Sequence, residues 1–111
     1  MLPINIGDLA SNMLKAALPK LTGGGEKTAD FAKDALTDIA KTIARIGEDY
    51  ANGKMGADDA KAALDAQKES AKIAIAAAEG LSLIAIEEAI NAALGVVKTT
   101  VNSALGFALI A

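Results

Sequence analysis

Charge stops two-thirds of the way along this chain. Between Leu81 and Ala111 the only charged residues are Glu87, Glu88 and Lys98, and all the others lie in the first 80 positions. A helix solvated on one side needs a polar face along its whole length. The last third of this sequence has only a thin polar stripe, made of Glu87, Asn91, Lys98 and Asn102. The rest of its circumference is apolar and costly to leave in water. Another copy of the chain, a partner or lipid is therefore expected to cover it.

The expected fold class is all-α. Alanine, the strongest helix former, supplies 26 of the 111 residues, and proline occurs only at positions 3 and 19. Runs of β-branched and aromatic residues are missing. Alanine also buries little area, and burial stabilises by roughly 25 cal/mol per Å², so a single copy is expected to have a thin core. The length fits one domain.

Composition also narrows the chemistry. The absence of cysteine excludes disulfides, thiol catalysis and thiolate metal sites. The absence of histidine removes the commonest metal ligand and the usual general base. A net charge of −3 with interleaved signs is no footprint for nucleic acid. A non-enzymatic chain is expected, with no cofactor, metal or small-molecule substrate. The first residues lack a basic segment followed by an apolar one, so no cleavable signal peptide is read. An extracellular or virion assembly and a membrane association both remain compatible with this.

Three regions follow from the punctuation. Residues 1–25 hold a short helix, from Asp8 to about Leu18, and a glycine joint at Gly23-Gly24-Gly25. Pro19 stops that helix because it lacks an N–H. Residues 26–79 read as an antiparallel helical hairpin. Its first helix spans Thr28 to Ala51, with Ala32, Leu36, Ile39, Ile43, Ile46 and Tyr50 at heptad spacing, a seam for another helix. The stretch 52–56 is a turn, with Gly53 suited to a left-handed cap. Residues 80–111 read as an apolar C-terminal helical extension, the oligomerisation or membrane segment.

Gly80 poses a choice, since Ser82 could start a new helix there. The phase favours continuity. Ala60, Leu64, Gln67, Ala71, Ala74, Ala78, Ala85, Ala89, Ala92, Val96, Thr99 and Ser103 fall on one narrow face at 100° per residue. One helix from about Ala57 to Leu109, bent at Gly80, would span roughly 80 Å. Ala71, Ala74, Ala78, Ala85, Ala89 and Ala92 would let helix axes approach closely. The opposite face is charged up to Glu79. After Gly80 it becomes apolar, through Leu83, Ile86, Ile90, Leu94, Val97, Val101 and Leu105. From Ile86 the spacing is 4-4-3-4-4, near an 11-residue repeat that suits straight packing.

Two apolar faces on one helix suit a ring, tube or filament, so a homo-oligomer is the leading expectation. There the polar stripe would face a lumen, or Glu87 or Glu88 would pair with Lys98 between subunits. The alternative is a small integral membrane or membrane-lesion protein of phage type. Residues 89–111 are long enough to cross a bilayer, but Lys98 near the centre costs about 2.5–3.5 kcal/mol on an insertion scale. A hairpin with an apolar extension resembles, in outline only, secreted needle and filament subunits and small viral membrane proteins such as holins. The Trp-x-Gly turn of small secreted hairpin proteins is absent, and no family is assigned.

Other constellations have simpler readings. Thr22-Gly23-Gly24-Gly25-Glu26-Lys27-Thr28 departs from a phosphate loop, with Glu26 where glycine must precede the lysine and Lys20 at the first glycine. It is read as a hinge. Glu87 and Glu88 point about 100° apart on a helix and cannot share a proton. Asp30, Asp34 and Asp38 align at four-residue spacing among lysines, and are read as a solvated face rather than a cation site.

Overall fold

A computed structural model describes residues 4–78 and 80–111. Met1–Pro3 and Glu79, the last of the predicted charged face, lie outside the described residues. The fold is all-α: α1 (Ile6–Ala17), a 3-10 turn (Leu18–Lys20), α2 (Thr28–Ala51), α3 (Ala57–Ala76) and α4 (Leu83–Leu105). Among the described residues there is no strand.

Local chemistry sets the boundaries. The Asp8 N–H donates to Asn5 Oδ1 at 3.0 Å, so Asn5 caps α1 and Asp8 sits inside its first turn, not at its start. The chain leaves α1 through the 3-10 turn that holds Pro19. Thr28 and Ala51 bound α2 where the sequence places them. Its end is a Schellman motif: Lys54 N–H donates to the Asp49 carbonyl at 2.8 Å and Gly53 N–H to the Tyr50 carbonyl at 3.1 Å. Gly53 takes φ +71° there. At the start of α3, Gly56 N–H donates to Asp59 Oδ2 at 3.3 Å.

The continuous helix expected from Ala57 to Leu109 is overturned. α3 ends at Ala76, its last turn tightened by a bond from Ala78 N–H to the Ile75 carbonyl at 2.9 Å. Gly80 follows with φ +86°. Ser82 then caps a separate helix, its Oγ accepting from Ala85 N–H at 3.1 Å. The molecule is 42 Å in its longest dimension, not roughly 80 Å. Burial decides between the two arrangements. Breaking the helix forfeits a few backbone bonds worth about 0.5–1.5 kcal/mol each, and Ser82 recovers one. Folding α4 back buries Ile86, Ile90, Leu94, Val97, Val101 and Leu105, each worth roughly 1.5–3 kcal/mol.

The predicted C-terminal extension therefore does not project. α4 packs chiefly on α1 and also on α3 and α2, while α2 packs most extensively on α3. One cluster of buried side chains runs through all four helices. The α2 seam residues Ala32, Leu36, Ile39, Ile43 and Ile46 lie at its centre. Thr42 Oγ1 donates to Gln67 Oε1 at 3.1 Å, joining α2 to α3. The apolar face of α4 that seemed to need an outside cover is covered from within. α1, 12 residues long, supplies much of that cover, because Leu9, Met13 and Ala17 all face inward.

The single narrow face also breaks at the turn. On α3, Ala71 is buried but Ala74 is exposed, with Ile75 buried in its place, and Ala78 is buried in the turn that follows. On α4, Ala89 is buried and Ala85 and Ala92 are half-buried, whereas Val96, Thr99 and Ser103 face water. The turn resets the rotation of the second helix, so a phase extrapolated through Gly80 loses its meaning.

The glycine joint has a tertiary role. Gly23 and Gly80 lie backbone to backbone where the α1–α2 and α3–α4 connections meet. A Cβ on Gly80 would come within 2.6 Å of the Gly23 carbonyl oxygen. Gly24 lies under the Thr28 side chain, and Thr28 Oγ1 is buried without a hydrogen-bond partner among the described residues.

Candidate functional site

Most of the residues predicted as an oligomer or membrane face are interior. Ile86, Ile90, Leu94, Val97, Val101 and Leu105 are buried, and Leu83 alone among them is exposed. The surface instead carries large apolar side chains at the α3–α4 corner: Ile73, Leu83 and Ile84 are 74%, 64% and 70% exposed. Ala76 and Ala77 lie beside them in the chain and are also exposed. Ile73 and Ile84 belong to no repeat, so sequence spacing does not mark them. Their signal is negative: neither fits the phase of the buried face on its own helix. Val96, 57% exposed, lines a separate groove between α1 and α4.

The predicted polar stripe does stay at the surface. Glu87, Asn91 and Lys98 are exposed and Asn102 is half-buried. Within the chain, Glu87 pairs across helices. Glu87 meets Lys72 of α3 at 2.8 Å, and Lys72 also meets Glu69 at 3.2 Å. Neither Glu87 nor Glu88 pairs with Lys98 in the folded chain. The fold-back of α4 on α3 brings residues 15 positions apart side by side, which a straight helix would keep far apart.

That pair is half-exposed, and both partners titrate away from their ordinary values. The hydrogen bond from Lys72, then its charge, holds the Glu87 carboxyl low. Hydrogen bonds to Glu87 and then Glu69 hold Lys72 high. The lowered carboxyl contributes stability above the ordinary glutamate range, lost as pH falls through its folded value. The raised lysine contributes stability below the ordinary lysine value, lost as pH rises through its folded one. Lys72→Met is expected to return Glu87 to an ordinary titration, followed by carboxyl ¹³C NMR. An unchanged curve would mean that the pair does not form in solution.

The far end of α4 is built differently. Gly106 caps the helix at φ +81°, and the chain turns back along α4. The Asn102 side-chain amide grips Ile110 at both backbone atoms: Nδ2 donates to the Ile110 carbonyl at 2.9 Å, and Oδ1 accepts from its N–H at 3.0 Å. Leu109 and Ile110 are buried. Phe107 packs against Tyr50, with ring centroids 4.4 Å apart and the planes tilted by 40°. A cavity of about 490 Å³ remains between this segment, α3 and α4. The helix expected to cross a bilayer over 89–111 thus stops at Leu105. No helix among the described residues is long and apolar enough to cross a membrane.

Asp30, Asp34 and Asp38 are exposed, and no group of three or more metal-ligating side chains occurs among the described residues. Comparison of the chain with family models, curated proteins and solved structures found no match.

Proposed function

We propose that this protein is a non-enzymatic structural subunit that assembles with further copies of itself. In this reading α2 and α3 form the antiparallel hairpin body, and the surface around the start of α4 makes the contact. The supporting observation is the exposure of Ile73, Leu83 and Ile84, which lie on either side of the α3–α4 turn in the chain. Single exposed apolar residues are ordinary on a protein surface, but three large ones within a dozen positions of one another suit an interaction surface. Among the described residues, none covers most of their surface. The charged rim supplied by Glu87 and Glu88 would set the orientation of the contact more than its strength.

Ile84→Asp tests the reading. Light scattering across a micromolar concentration series is expected to show a smaller mean mass for the variant than for the parent. Its thermal midpoint should change little, because a substitution at so exposed a site typically moves stability by less than about 0.5 kcal/mol. A parent chain that stays monomeric throughout the series would remove the proposal. A bilayer-embedded role would instead show as carbonate-resistant membrane partitioning.

A further inference from the structure

We infer that Asn52 is a site of spontaneous covalent modification, deamidation through a cyclic imide, and that the folded α2–α3 turn holds the reaction in check. The inference is independent of any assembly. Asparagine is a chemically labile residue, because its side-chain carbonyl can be attacked by the backbone nitrogen of the residue that follows. When that residue is glycine, no side chain shields the nitrogen and the backbone is freest to rotate into position. Of the five asparagines, Asn52 alone precedes a glycine. Asn52 and Gly53 are both exposed, and no atom lies within 4 Å of where a Gly53 Cβ would stand. The other four are held differently. Asn5 caps α1 through its side chain, and Asn12, Asn91 and Asn102 lie inside α1 and α4.

The chemistry is an exchange of one amide for another, followed by hydrolysis. The Gly53 nitrogen gives its proton to solvent and bonds to the Asn52 side-chain carbonyl carbon. Nδ2 takes up a proton and leaves as ammonia, which closes a five-membered imide. Water then opens the ring at either carbonyl. One opening leaves aspartate at position 52. The other leaves an isoaspartyl link, in which the main chain runs through the former side chain and is one carbon longer. No oxidant or reductant takes part.

Two features of the closed turn block the first step. The Gly53 N–H donates to the Tyr50 carbonyl at 3.1 Å, so its proton is engaged. Asn52 has ψ 5°, which eclipses the Gly53 nitrogen with the backbone nitrogen of Asn52 itself. Ring closure needs it eclipsed with Cβ instead, about 120° away around the Cα–C bond. A rotation of that size carries Gly53 and Lys54 off the Tyr50 and Asp49 carbonyls. The turn must therefore open, and only the open fraction reacts.

Both products loosen the turn. A carboxylate at position 52 stands at the C-terminal end of α2, where the helix dipole disfavours negative charge and where Glu48 and Asp49 are already close in the chain. The extra carbon of the isoaspartyl link also breaks the spacing that lets Gly53 and Lys54 reach the two carbonyls. Opening favours modification, and modification favours opening.

The experiment incubates the full chain at mildly alkaline pH, folded in buffer and unfolded in guanidinium chloride. The tryptic peptide from Ile46 to Lys54 is followed by mass spectrometry, with fragmentation that separates aspartyl from isoaspartyl products. Loss of the side-chain amide is expected at Asn52, at least about tenfold slower in the folded chain because the rate follows the open population. Equal rates in the two conditions would overturn the gating by the turn. An unfolded chain that keeps its Asn52 amide would overturn the site itself. Modified chains, separated by their added charge on an anion exchanger, are then compared with the parent and with Asn52→Asp by thermal denaturation. The isoaspartyl form should melt lowest, and a midpoint equal to the parent's would overturn the effect on the turn.

Discussion

Val97→Asp is expected to destabilise the entire chain as one unit, not only its C-terminal third. Val97 is buried in the shared core beside side chains of the other helices. A carboxyl placed there has no partner, and an unpaired buried polar or charged group is among the few changes that cost about 3–5 kcal/mol. For a domain of this size each kcal/mol lowers the midpoint by roughly 4–8 °C, so a fall on the order of 20 °C is expected. The four helices share one cluster, so far-UV circular dichroism should show a single transition. Desolvation raises the introduced carboxyl's pKa. Its penalty should therefore be smaller in acid, where the group is neutral, and should grow as pH rises. Lys98, the exposed neighbour, is the control: Lys98→Ser should leave the midpoint nearly unchanged. If Val97→Asp melts α4 while the signal of α2 and α3 persists, the fold-back of α4 is not what holds the bundle together.

Gly80→Ala is the second large expectation. Two independent penalties meet at this position. A residue with a Cβ at φ +86° is disfavoured by about 1–2 kcal/mol, and here the Cβ would also stand 2.6 Å from the Gly23 carbonyl oxygen. That oxygen is backbone and cannot swing away, so the two connections must part. A loss of about 2–4 kcal/mol is expected by urea denaturation. Gly25→Ala is the matched control, because no atom lies within 4 Å of its Cβ position. Alanine there should be neutral or slightly stabilising. Equal effects at the two positions would show that the crossing of the two connections is not formed.

Much of the local structure is legible from residue order. The bounds of α2, the glycine cap at Gly53 and the stop at Pro19 each depend on groups within a few positions of one another. The seam Ala32, Leu36, Ile39, Ile43 and Ile46 reads as a buried stripe because helix geometry alone brings those positions together. Asn5 as the cap of α1 is a near miss of the same kind. Gly80 marks the limit of that logic. A glycine inside a helix costs about 1 kcal/mol, and Ser82 offers a start, so local energies leave the bent and the broken forms close together. The surfaces suffer the same limit. A large apolar residue on a predicted helix does not say which neighbour covers it. Leu83 and Ile86 share one apolar repeat in the sequence, yet one is in water and the other in the core.

The sequence by itself determined that this chain is helical, where α2 begins and ends, and that its last third is too apolar to be wetted all round. Those properties come from backbone propensity, from capping groups and from the count of polar side chains, all of which act over a few residues. Only the tertiary structure decided what the apolar third is buried against. That outcome turns on contacts between positions far apart in the chain, Gly23 with Gly80, Lys72 with Glu87 and Tyr50 with Phe107. It also turns on the several kcal/mol of burial that α4 gains by turning back at Gly80 rather than running on.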